Sequence, residues 1–122
     1  MNTVRPSARA ELGARAEQLA SDYLERCGFA IVARNVRVGR LELDVIARRG
    51  NLLIVCEVRS RRSDRVMTPA QSVDYRKVSH VREAAARWIR ETRPGTSQLR
   101  FDVASVVFDT PSGRLNYLEG AF

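Results

Sequence analysis

The chain has 122 residues, 44% hydrophobic and 29% charged, a balance that fits one soluble globular domain and excludes a disordered or membrane-embedded chain. Its net charge of +7 favours a polyanionic partner, nucleic acid or an anionic membrane surface, over a charge that serves solubility alone. No apolar run approaches the ~20 residues of a membrane span. The start, "MNTVRPSARAELG", has arginines but no apolar segment behind them, so a cytoplasmic protein without a membrane partner is expected.

Of the 21 cationic side chains only Lys77 is a lysine. The two cysteines, Cys27 and Cys56, lie in apolar contexts without CxxC spacing and read as buried free thiols of a reducing compartment. With a single histidine beside them, a structural zinc site is excluded.

The first pattern in the chain is "SARAELGARAEQLASDYLERCG". Ser7 is suited to cap a helix and Gly28 to stop it. At ~100° per residue, Leu12, Ala16, Leu19, Ala20, Tyr23, Leu24 and Cys27 share one apolar arc. Glu17 falls at its edge, near the seam with whatever the helix covers. A solvated glutamate is the plain reading of that position.

Three strands follow, "FAIVARNVRVG", "LELDVIA" and "NLLIVCEVR", rich in β-branched residues. "RRGN" between the second and third suits a tight hairpin turn. "RSRRSDRVMTPAQS" is polar, carries four arginines, and reads as a loop. From about Val73 to Thr92 the apolar spacing is helical again, on Val78, Val81, Ala85, Trp88 and Ile89. "RPGTS" stops that helix, "QLRFDVASVVFD" is a further strand, "TPSG" turns it, and "RLNYLE" adds a short edge strand. The result is an α/β fold with a mixed central sheet flanked by helices, in the order α-β-β-β-α-β(-β). It spans residues 1–122 as one domain, with 1–6 a flexible tail. The near-continuous apolar runs require both sheet faces to be covered.

Within the second and third of these strands sit four charges: Glu42, Asp44, Glu57 and Arg59. Alternation puts Glu42 with Asp44 on one face and Glu57 with Arg59 on one face. A turn centred on Arg49 and Gly50 sets Glu42 opposite Glu57, with Asp44 its diagonal neighbour. Three carboxylates then crowd one patch, which is destabilising unless something neutralises them. A hard divalent cation does so, and so does arginine, with Arg40 and Arg59 at hand. The acid–base alternation in "CEVR" suits metal-assisted phosphodiester hydrolysis, in which the cation activates water and a basic group stabilises the transition state.

"GRLELDVIA" followed across a hairpin by "LLIVCEVRSR" resembles the YraN family, small bacterial proteins with an endonuclease-like fold. That family is similar to archaeal Holliday-junction resolvases and belongs to the PD-(D/E)XK nuclease superfamily. The resemblance runs from "LGARAEQLASDYLERCGFAIVARN" through Lys77 to "RFDVASV". It implies a restriction-endonuclease-like fold. It further implies Mg²⁺ or Mn²⁺ on Asp44 and Glu57, a helix glutamate, Glu17, reaching the site, and Glu42 as an accessory acid.

The superfamily's last catalytic position is usually lysine, where this chain has Arg59. Arginine stabilises phosphate charge but cannot act as a base. Lys77 is the candidate substitute, because its place on the second helix lies ~40° from Val81, within the apolar stripe. The alternative is a packed stem with its amine snorkelling to solvent or phosphate. Arg61, Arg62 and Arg65, with Arg40, are placed to grip phosphates without reading sequence. His80 falls on the exposed side of its helix and is assigned nothing.

The expected function is a metal-dependent, structure-selective DNA endonuclease, a homodimer by analogy with resolvases. A second reading is a non-catalytic nucleic-acid-binding module on a nuclease scaffold. A third is a protein-interaction domain with a buried ion-pair cluster.

Overall fold

The structure is a computed structural model that describes residues 7–62 and 75–122. The expected tail, most of the arginine-rich loop, and Arg65 with it, lie outside the described residues. Helix α1 spans Ala8–Arg26, and the Ser7 hydroxyl accepts the Ala10 N–H at 3.1 Å. That bond satisfies one of the donors a helix start leaves unpaired. Strands β1 (Ala30–Val38), β2 (Leu41–Arg49) and β3 (Leu52–Arg61) follow, then helix α2 (Tyr75–Thr92), β4 (Gln98–Val107) and β5 (Arg114–Leu118). Strand β3 runs on through Arg61, so Ser60 and Arg61, expected in the loop, are still strand residues.

The five strands pair in sequence order, β1 to β5. All neighbours are antiparallel except β3 and β4, which are parallel. A parallel pair cannot be joined by a tight turn, and α2 lies on the crossover. Both hairpins before it use two-residue turns with glycine first, Gly39 at φ +62 and Gly50 at φ +58. That position needs the positive φ only glycine adopts freely.

Each helix covers one face. Ala20 and Leu24 of α1 pack with Phe29, Val45, Ala47, Ile54, Cys56 and Ala104. On the other face Val81, Ala84, Ala85 and Trp88 of α2 pack with Leu43, Ile46, Leu53, Val55 and Phe101. Full burial of a side chain such as Leu24 stabilises by roughly 1.5–3 kcal/mol. Cys56 is buried in this packing, but Cys27 is exposed, because it caps the end of α1 where the apolar arc leaves the sheet.

The sheet is continuous at one end, apart from a register shift in β1 between Ile31 and Ala33, and divided at the other. The β2–β3 ladder stops at Val45↔Cys56. Beyond it β2 stays with β1 as far as Leu41, while β3 stays with β4 as far as Arg61. The β1–β2 ladder passes from Arg34↔Val45 to Val36↔Leu43, skipping Asn35 and Asp44. Asn35 has φ +53, a left-handed conformation that asparagine tolerates better than most residues. Leu43 packs on the α2 face and Val45 on the α1 face, although residues two apart in a regular strand share a face. Asp44 is thus the point where β2 switches faces and the sheet forks.

Candidate functional site

Asp44 lies in the fork. With β2 gone from its side, the Val58 N–H of β3 has no ladder acceptor there, and Asp44 Oδ2 accepts it at 2.8 Å. A buried N–H left unpaired would be costly, so this carboxylate closes the backbone accounting at the split. Glu17 of α1, Glu42 of β2 and Asp44 each present a carboxylate oxygen, and the three lie within 4.8 Å of one another. Glu17 is largely buried, with Arg34 3.9 Å from its Oε2, and Glu42 is exposed.

Burial pushes the Asp44 carboxyl up to about 7, and the neighbouring charge of Glu57 adds to the rise. Glu17 contributes further, while the Val58 N–H and the Lys77 charge oppose it. An acid among acids in a poorly hydrated place favours its neutral form.

The hairpin turn sits on Gly50 and Asn51, one residue later than a turn centred on Arg49 and Gly50, because Arg49 pairs with Leu52. Glu42 therefore does not oppose Glu57. The same register continued past Val45↔Cys56 brings Asp44 across from Glu57. Glu57 lies outside the three-acid group. It is 3% exposed, and the Lys77 ammonium stands 2.9 Å from its Oε2. Lys77 approaches off the hydrogen-bonding direction, and among the described residues that oxygen has no hydrogen bond. The Lys77 stem is half-exposed rather than packed in the apolar stripe, and its amine turns inward instead of toward solvent.

Arg59 is half-buried on β3 and engaged with other groups. Arg40 is exposed at the β1–β2 turn, beside a groove of about 470 Å³ shared with His80, Glu83 and Arg87 of α2. Arg61 is partly buried, its Nε and Nη2 without partners among the described residues, and Arg62 is exposed.

Three features escaped the reading of the residues alone. Arg34 serves both Glu17 and the Gln18 side chain, and its place next to Asn35 gave no pattern. Asn35 carries the kink itself. Asp102, fully buried on β4, accepts from Arg100 Nε and Nη2 at 2.9 and 3.0 Å, Tyr117 OH at 2.5 Å and Gly120 N–H at 2.9 Å. A lone acid within "RFDVASVV" was its only signal, and its saturated partners make it a structural anchor.

A five-stranded mixed sheet between two helices, in the order α-β-β-β-α-β-β, defines a restriction-endonuclease-like domain. Comparison with known proteins narrows the class. A family model described as uncharacterised protein family UPF0102 matches residues 16–106. A UPF0102 protein of Sorangium cellulosum is 47% identical over 109 residues, spanning 87% of this chain and 75% of the relative. Another, of Acidothermus cellulolyticus, is 39% identical over 127 residues, spanning 95% and 96%. A third, of Dictyoglomus thermophilum, is 36% identical over 115 residues, spanning 92% and 97%. The chain belongs to UPF0102, the YraN endonuclease-like family. No helix among the described residues is long and apolar enough to cross a membrane.

Proposed function

We propose that this protein is a metal-dependent, structure-selective DNA endonuclease. The observation that carries the proposal is the gathering of Glu17, Glu42 and Asp44 in the sheet fork, with the buried Glu57 acting on Asp44. The donors are all carboxylate oxygens, the set a hard divalent cation prefers. The raised Asp44 carboxyl marks crowded acids that a cation would relieve.

Mg²⁺ or Mn²⁺ would be held by Asp44 and Glu57, with Glu17 and Glu42 offering further carboxylate oxygens beside Asp44. Bound there, it would supply the polarisation of a phosphoryl oxygen and the acidification of a water. Asp44 is fixed for this work by the Val58 N–H, so its carboxylate needs little reorganisation on binding. Lys77 and Arg59 would offset the negative charge that builds on the phosphate, and Arg59 does so without exchanging a proton. Arg40, Arg61, Arg62 and Arg65 would hold the backbone to either side, a contact that weakens steeply with salt. A twofold dimer would suit the symmetric cutting of two strands.

The second reading, a module that binds nucleic acid without cutting it, draws on Arg59 standing in the usual lysine position. One experiment separates the two. Branched and linear DNA are incubated with the protein, with and without Mn²⁺, beside Asp44→Asn and Glu57→Gln. The endonuclease reading expects Mn²⁺-dependent cleavage, preferring branched DNA, that is abolished in Asp44→Asn and strongly reduced in Glu57→Gln. Cleavage surviving both variants belongs to a contaminant. Salt-sensitive binding of branched DNA with no cleavage under any cation establishes the binding module instead.

A further inference from the structure

On the α2 face of the sheet, starting one helical turn beyond Lys77, the β1–β2 turn and α2 enclose a groove of about 470 Å³. Its floor is Val38, Leu41 and Ala84, apolar side chains at the margin of the core. Its rim is charged and exposed, with Arg40 from the turn and His80, Glu83 and Arg87 from α2. Arg87 reaches from one wall to the other. Its Nε–H donates to Glu91 of its own helix at 3.0 Å, and a Cβ built on Gly39 in the turn would stand 3.9 Å from its Nη1. Among the described residues that line the groove, one carboxylate meets two guanidinium groups and an imidazole around an apolar floor.

That combination selects its occupant. A duplex keeps the faces of its bases stacked inside and shows its flank as phosphate, so the apolar floor gains nothing from it. An unpaired nucleotide offers a flat, weakly polar base together with anionic links on either side. Single-strand sites answer both, with cations along the backbone and side chains laid against the base. A guanidinium plane serves either purpose. The volume is in the range of sites that take small ligands, roughly 300–1,000 Å³.

From this juxtaposition we infer that the groove between the β1–β2 turn and α2 receives one unpaired nucleotide, its base on Val38, Leu41 and Ala84 and its flanking phosphates on Arg40 and Arg87. The inference rests on nucleic acid being the partner, as proposed above, and adds the feature by which a structured substrate is told from plain duplex. The nucleotide is held one helical turn from the contact of Lys77 with Glu57. Binding in the groove needs no metal and no cleavage.

The test is fluorescence anisotropy in EDTA with two labelled hairpin DNAs, identical except that one carries a single unpaired thymine in its stem. Wild type should bind the bulged hairpin on the order of tenfold more tightly. Arg40→Ala combined with Arg87→Ala should lose that preference. Arg26→Ala combined with Arg90→Ala, an equal loss of charge at exposed positions outside the groove, should keep it. Circular dichroism checks the fold of both variants. A measurement on wild type alone stands beside them: 4-thiothymine at the bulge is photocrosslinked and mapped by mass spectrometry, and should mark residues 38–41 or 80–87. Equal affinity for the two hairpins, crosslinks confined to other segments, or a preference that survives loss of both groove arginines would overturn the inference. So would a poly-glutamate peptide that displaces the bulged hairpin as well as unlabelled bulged DNA does, because the groove would then read charge alone. Binding of neither hairpin would remove nucleic acid as the partner and the inference with it. A bulge preference without Mn²⁺-dependent cleavage would remove the endonuclease reading and leave the groove standing.

Discussion

The clearest physical consequence of the fork is a pH-dependent cost at Asp44. Its carboxyl is raised from an ordinary 3.8 to about 7, with burial the main cause and Glu57 the next. Between those two values the metal-free folded chain keeps a proton at Asp44 that the unfolded chain has released. Stability falls as pH rises wherever the folded state binds more protons. The stability is therefore fully present below pH 3.8 and lost as pH climbs through about 7. Each tenfold in such an equilibrium is about 1.4 kcal/mol, so the whole loss is roughly 4 kcal/mol. That is a large part of the about 5–15 kcal/mol that holds a typical domain together.

Asp44→Asn is neutral at every pH, and its amide oxygen can still accept the Val58 N–H. Urea unfolding of both proteins with EDTA, from about pH 4 to about pH 8, measures the difference while other carboxyls cancel. The stability of the variant relative to wild type should grow across this range by up to roughly 4 kcal/mol, most of it gained before about pH 7. A difference that stays constant with pH, or moves the other way, would refute the assignment of Asp44 as a desolvated acid among acids.

Two further outcomes bear on the scaffold. A Cβ added at Gly113 would stand 2.7 Å from Phe108 Cε1, at φ +77. Gly113→Ala should therefore lower the urea midpoint by an amount equivalent to ~1–3 kcal/mol, and an unchanged midpoint would show that the β4–β5 turn yields freely. Tyr117→Phe takes one donor from the fully buried Asp102 and should cost about 1–3 kcal/mol in the same measurement. A negligible change would mean that Arg100 and Gly120 alone satisfy that carboxylate.

Much of the fold is legible in the residues. The apolar spacing changes from helical to alternating at Gly28, and to helical again before Trp88. The glycine of "RRGN" announces the turn of the second hairpin. Glu17 at the edge of an apolar arc, and a lone lysine inside one, were the marks of side chains that reach the acids. Other parts were not legible. "RRGN" permits turns one residue apart, and that single step decides whether Glu42 or Asp44 faces Glu57. The fork depends on which neighbour each strand keeps beyond Val45 and Cys56, a choice made by pairing across the sheet and by no local pattern. Cys27 looked buried because its spacing fits the arc, but it stands past the last residue of the helix and is exposed.

Asn35 stands alone among the described β1 residues in its left-handed turn of backbone, at the step of the β1–β2 ladder that it skips together with Asp44. The change of face at this step is therefore carried by main chain, and Asp44 rides on it. Exchanging a carboxylate for its amide can silence the proposed chemistry and leave the opening as it was. Replacing Asn35 with a β-branched residue would instead press the ribbon flat, and would dismantle the proposed site without touching any of its acids.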